Sequence, residues 1–148
     1  MLDDLIRELK GRVAVMGEAW LPLIAPAVYI TGDYDLAVTK YLREFEVVGS
    51  EVVIAAGSRL PFRQRAFDEF IAHAAFNNPA TVTAEVGEAL KACNELIIIG
   101  IQSDRGWVST PLFNSSLVVI RNKLLELARE HGSNVVEFPE YFVIKIRN

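Results

Sequence analysis

The chain has 148 residues, 51% of them hydrophobic and 23% charged. This fits one self-sufficient α/β domain over 1–148 and excludes a disordered chain. The net charge of −4 argues against a general nucleic-acid coat, which needs a basic excess. With one cysteine, Cys93, there is no intramolecular disulfide and no cysteine-rich zinc site.

A mean hydropathy of +0.25 is high for a small domain. The surplus is expected in a sheet covered on both faces and in a homo-oligomer interface. The start, Met1-Leu2-Asp3-Asp4, lacks a signal peptide's basic region. The longest low-charge stretch, Val13 to Ile30, carries Glu18, Pro22 and Pro26, so no membrane span is expected and the cytoplasm is the default.

In chain order, Leu2 to Lys10 reads as a short amphipathic helix ended by Gly11. Val13 to Met16 reads as a short strand, and Trp20 to Pro26 as an apolar linker. Ala27 to Thr31 is a strand, and Asp33 to Glu46 has helical spacing at Leu36, Ala37, Tyr41, Leu42 and Phe45. Glu51 to Ala56 is the next strand. Pro61 suits a helix start. Phe67, Phe70, Ile71 and Ala74 then predict a helix reaching Phe76.

Ala80 to Val86 reads as a weaker strand and Gly87 to Asn94 as a short helix. Glu95 to Ile101, with five apolar residues in its last six, reads as a central strand. Gln102 to Pro111 is a polar loop. Asn114 or Ser115 caps a long helix reaching His131, closed by Gly132. Asn134 to Phe138 and Tyr141 to Arg147 flank Pro139-Glu140 as a hairpin. The alternation predicts a three-layer, Rossmann-like, mostly parallel sheet with helices on both faces and a C-terminal β-hairpin.

In such sheets ligands bind beyond the carboxyl ends of the strands, where the strand order reverses. Three segments qualify. They are Thr31-Gly32-Asp33 with Asp35, Gly57-Ser58-Arg59, and Ser103-Asp104-Arg105 with Trp107. Arg59, Arg63 and Arg65 surround the expected helix start at Pro61. Cations there oppose the helix dipole by about 0.3–1 kcal/mol each, which a bound anion would offset. Surface pairing with Asp68, Glu69 or a distant carboxylate is the alternative. Trp107 suits stacking on a base or a sugar, or a lid on the core or a subunit contact. Asp33 and Asp35 suit a helix cap and first turn, or a divalent metal site with Asp104. His73, read as mid-helix, and His131, in a last turn, are poor catalytic candidates. Cys93 reads as a small buried residue. No Walker A, GxGxxG, GxSxG or zinc spacing occurs, and no cofactor is named by a motif.

The seven residues Tyr29-Ile-Thr-Gly-Asp33-Tyr-Asp35 resemble the strand-end acidic motif of PIN- and NYN-type nucleases. They resemble more loosely the first motif of haloacid-dehalogenase-type phosphatases. Either resemblance implies metal-dependent chemistry at Asp33 and Asp35. The upstream acidic strand end of the nucleases is matched only by Glu18, and the later lysine and acidic pair of the phosphatases do not stand out. Three functions are therefore carried forward. The first is binding of an anionic small molecule, such as a nucleotide or other phosphate compound. The second is a metal-dependent phosphohydrolase or nuclease, and the third a non-enzymatic oligomerisation or partner-binding module.

Overall fold

The computed structural model describes residues 11–17, 27–32, 50–76, 78–101 and 111–148, with side chains omitted at 101 and 111–116. The elements in order are β1 (Val13–Gly17), β2 (Val28–Thr31), β3 (Glu51–Ile54), β4 (Phe67–His73), α1 (Val82–Ala92), β5 (Cys93–Ile101), α2 (Pro111–Glu130), β6 (Val135–Glu137) and β7 (Tyr141–Arg147). The helices expected over 2–10 and 33–46 lie outside the described residues.

The strands form one seven-stranded sheet in the order β3-β2-β1-β4-β5-β7-β6. β1 to β5 pair in parallel. β7 enters antiparallel between β5 and β6, and closes the C-terminal hairpin expected from Pro139-Glu140. The fold is the mostly parallel Rossmann-like α/β sheet anticipated from the alternation of elements. Among the described residues, no helix is long and apolar enough to cross a membrane.

Both faces of the sheet are buried, so the strands read as near-continuous apolar runs. One face carries Ala14, Phe70, Leu96, Ile98, Phe142 and Ile144, packed under α1 and α2. The other carries Val13, Val15, Tyr29, Ile71, Ile97 and Ile99. Each of the larger side chains contributes about 1.5–3 kcal/mol by leaving water.

Two expectations are overturned. Residues 61–76 are not a helix: a connection without a helix leads into β4. Phe67, Phe70, Ile71 and Ala74 match helical spacing, but a strand buried on both faces places apolar residues at consecutive positions and produces the same pattern. The strand expected at Ala80 to Val86 is instead the start of α1. Thr81, Val82 and Thr83 raise strand propensity, yet Val82, Val86, Ala89 and Ala92 fall on one helical face and are all buried.

The helix α2 also starts earlier than expected. Pro111 is its first residue, a position where the missing N–H costs nothing, so Asn114 and Ser115 lie within it rather than capping it. Its end is as read. Gly132 has φ +65, its N–H bonds to the Arg129 carbonyl, and Ser133 N–H reaches back to Ala128 at 2.8 Å. That is a Schellman closure.

Candidate functional site

The strand order reverses between β1 and β4, since β2 and β3 lie to one side and β4 and β5 to the other. The carboxyl ends of β1 and β4 therefore border the crevice where ligands bind in open α/β sheets. β1 ends at Gly17, with φ +117. A Cβ at Gly17 would collide with the carbonyl oxygen of His73, so only glycine lets the two strand ends approach this closely.

His73 is the last residue of β4 and the register partner of Gly17. It is half-buried, and burial pushes its imidazole below the ordinary histidine range. The ring is therefore neutral at pH 7. Ala74 follows with φ +48, a left-handed conformation that side chains other than glycine rarely take. Its N–H donates to the Ile99 carbonyl at 2.9 Å, which ties the end of β4 to β5.

Thr31 and Gly32 stand at the carboxyl end of β2, as expected. The Thr31 carbonyl accepts from Ala55 N–H at 3.0 Å, holding the end of β3 beside it. Gly57, Ser58 and Arg59 follow β3 and descend along α1. Gly57 lies against the Glu85 side chain, and Leu60 N–H donates to Glu88 Oε2 at 3.2 Å. Glu85 carries a buried Oε2 without a hydrogen-bond partner, and burial raises its carboxyl above the ordinary range despite a Thr81 hydrogen bond.

The arginine cluster is not assembled as expected. Arg65 N–H donates to the carbonyl of Lys91, at the end of α1. Arg63 and Arg65 directly precede β4, so they flank its amino end and not the carboxyl edge. No helix starts at Pro61, and the argument from an unfavourable helix dipole lapses with it. Asp33, Asp35, Ser103, Asp104, Arg105 and Trp107 lie outside the described residues. Among the described residues no group of three His, Cys, Asp or Glu is placed to hold a metal ion.

The sequence set His73 mid-helix and far from this edge, whereas the strand register places it at the end of β4. The signal was the apolar triplet Phe70-Ile71-Ala72 before it, read with the wrong period. A larger concavity, about 1190 Å³, lies elsewhere, bordered by Glu69, Asn94, Glu95, Ser133, Lys145 and Arg147. It opens at the amino ends of β4 and β5. Its mixed carboxylates and cations present no single chemistry, and the strand-order rule favours the opposite edge.

No protein-family model matches the sequence, and no curated protein is similar to it in sequence. Solved structures are similar in fold. A SAM-dependent methyltransferase of Thermotoga maritima, described as a possible histamine N-methyltransferase, is 13% identical with a TM-score of 0.66, covering 97% of this chain and 86% of its own. A SAM-dependent methyltransferase of Aquifex aeolicus is 12% identical with a TM-score of 0.66, covering 97% and 87%. The magnesium protoporphyrin IX methyltransferase of Synechocystis PCC 6803, solved with bound SAM, is 10% identical with a TM-score of 0.65, covering 99% and 78%. At these identities the likeness shows the fold.

Proposed function

We propose that this chain binds S-adenosylmethionine (SAM) at the carboxyl edge of the sheet and acts as a methyltransferase. The observation that carries the reading is the β1–β4 reversal, closed by Gly17 against His73, within a fold matched along nearly the whole chain.

The residues present suit a nucleoside without phosphates. A dinucleotide needs a glycine-rich turn for close approach of its pyrophosphate. Here the sequence after β1 reads Gly17-Glu18-Ala19-Trp20, with one glycine. Phosphates also favour clustered arginines, and Arg63 and Arg65 stand at the other edge. SAM carries no phosphate and so needs no arginine cluster. It would lie across Gly17, between the ends of β2 and β4. Asp33, directly after the Thr31-Gly32 strand end, occupies the sequence position where an acidic residue meets ribose hydroxyls in nucleotide-binding α/β folds. In the sequence, the segment from Ser103 to Trp107 follows β5 and carries an aromatic and a hydroxyl.

Bound there, the cofactor supplies an electrophilic methyl group. The chain's own part is to hold it, exclude water and position the acceptor.

Isothermal titration with S-adenosylhomocysteine, SAM and ATP tests the reading. Micromolar binding of the first two, with ATP much weaker, is the expected result. Binding of ATP alone would return the site to the phosphate reading. No heat with S-adenosylhomocysteine at millimolar concentration would end the proposal.

A further inference from the structure

The connection from β3 to β4 runs along the flank of α1. Gly57 lies against the Glu85 side chain, Leu60 N–H donates to Glu88, and Arg65 N–H donates to the Lys91 carbonyl at 2.8 Å. The end of this connection gathers cations. Arg63 and Arg65 share one turn, closed by Ala66 N–H on the Arg63 carbonyl at 3.3 Å. Arg12, at the start of β1, joins them through its carbonyl, which accepts from Asp68 N–H at 2.9 Å. The Arg12 guanidinium lies over the Phe67 ring, 5.3 Å from its centroid, and Phe62 meets the same ring edge-on at 4.9 Å. Arg12, Arg63, Arg65 and Lys91 are all exposed, as is Arg59 further back on the connection.

Few carboxylates offset this charge. Asp68 Oδ2 accepts from Arg12 N–H at 2.7 Å, and Glu88 meets Lys91 at 3.5 Å. Among the described residues no carboxylate forms an ion pair with Arg59, Arg63 or Arg65. Arg65 also has φ +53, a left-handed backbone that glycine or asparagine takes at less cost. Backbone preference and like-charge repulsion thus both disfavour this arrangement. A polyanion lying on the surface offsets the repulsion.

A guanidinium meets a phosphate through two parallel N–H donors. Exposed cations along one connection suit a phosphate chain that passes over them. A lipid surface fits less well, since attachment there gains its strength from buried apolar area. The exposed large apolar side chains among the described residues are Ile54, Val118, Val119 and Val136, and none stands beside this turn.

We propose that this surface binds the phosphate backbone of a nucleic acid, with Arg12, Arg63 and Arg65 as its main contacts. The overall charge of −4 confines the attraction to this patch. The inference is independent of the SAM reading, because the turn lies at the amino end of β4, a strand's length from the crevice.

Fluorescence anisotropy of the full chain with a labelled single-stranded RNA tests it. Sequence-independent binding with a Kd of roughly 10–100 µM is expected at about 50 mM salt. Three phosphate contacts give a slope of about −2 in log K against log salt, so raising the salt to about 200 mM should weaken binding roughly 20-fold. Arg65→Gly suits the left-handed turn and so keeps the fold. It should weaken binding several-fold and reduce the slope by about 0.7. Arg63→Gln added to it should reduce both further, whereas Arg63→Lys alone should keep the slope. Arg121→Gln makes the same change in net charge beside β6, near the far edge of the sheet, and should alter neither. A slope that survives Arg65→Gly and the double variant overturns the proposal. So does displacement of the RNA by polyglutamate as effectively as by unlabelled RNA, which would make the partner an acidic protein. Attachment to phosphatidylserine vesicles without RNA binding, or no anisotropy change at the lower salt, also overturns it. Each of these results leaves the S-adenosylhomocysteine titration standing.

Discussion

Gly17→Ala is the sharpest probe of the edge on which the functional reading depends. Two costs follow from the structure. Alanine at φ +117 is strained, at about 1–3 kcal/mol. Its methyl would also press on the His73 carbonyl, which is backbone in a paired strand and cannot rotate away. Overpacking of that kind costs typically about 1–3 kcal/mol. The expected loss is therefore roughly 2–6 kcal/mol, a large share of the ~5–15 kcal/mol that holds a domain folded. At about 2–4 °C per kcal/mol for a chain of this size, the melting temperature should drop by roughly 4–24 °C. Urea denaturation followed by circular dichroism measures the loss directly, with Gly87→Ala as the control. Gly87 lies within α1 with open space where its Cβ would be, so alanine there should stabilise by up to about 1 kcal/mol. A Gly17→Ala loss below about 1 kcal/mol would mean that β1 and β4 do not meet as described, and the crevice reading would lose its floor.

Three further outcomes follow from single buried groups. Ser50 is the one buried polar residue among those described, and its Oγ accepts from Ala27 N–H at 3.0 Å, joining the starts of β2 and β3. Ser50→Ala should cost about 1–3 kcal/mol by stranding that N–H, and an unchanged urea midpoint would contradict the contact. Burial, with Glu95 nearby, pushes the Cys93 thiol from an ordinary 9.0 up to about 12. The native thiol should resist disulfide reagents at pH 8 and react only on unfolding. Because the folded value is the raised one, its contribution to stability is complete below pH 9 and is lost as the pH climbs towards 12. Cys93→Ala should flatten that alkaline decline. Glu85 is raised by burial as well, so its charged form is the disfavoured one. The Glu85→Gln variant should gain stability relative to the parent chain as the pH rises through the carboxylate range, and a gain on acidification instead would refute the assignment.

Much of the fold was legible because local chemistry and tertiary role agreed. The run from Leu96 to Ile101 could hardly be anything but a buried strand. Pro139-Glu140 between two apolar segments specified the hairpin, and Gly132 specified the end of α2 through its left-handed backbone. Where they disagreed, one misreading had two consequences for the site. Taking 61–76 as a helix set its start at the carboxyl edge, with Arg59, Arg63 and Arg65 around it, and carried His73 away from that edge. The residues from Phe67 instead run as a strand from the amino edge to the carboxyl edge. Arg63 and His73 therefore exchange edges. Local spacing could not decide this, since a doubly buried strand and a buried helix give the same short apolar run. The decision lies in pairings such as Ala14 with Phe70 and Phe70 with Leu96, made between segments far apart in the chain. The exchange also changes the chemistry. An edge guarded by arginines asks for a phosphate, whereas the described residues of the carboxyl edge, a threonine, a bare glycine and an imidazole, are compatible with the proposed nucleoside. That difference is why the search for a ligand should begin with S-adenosylhomocysteine rather than with a nucleotide.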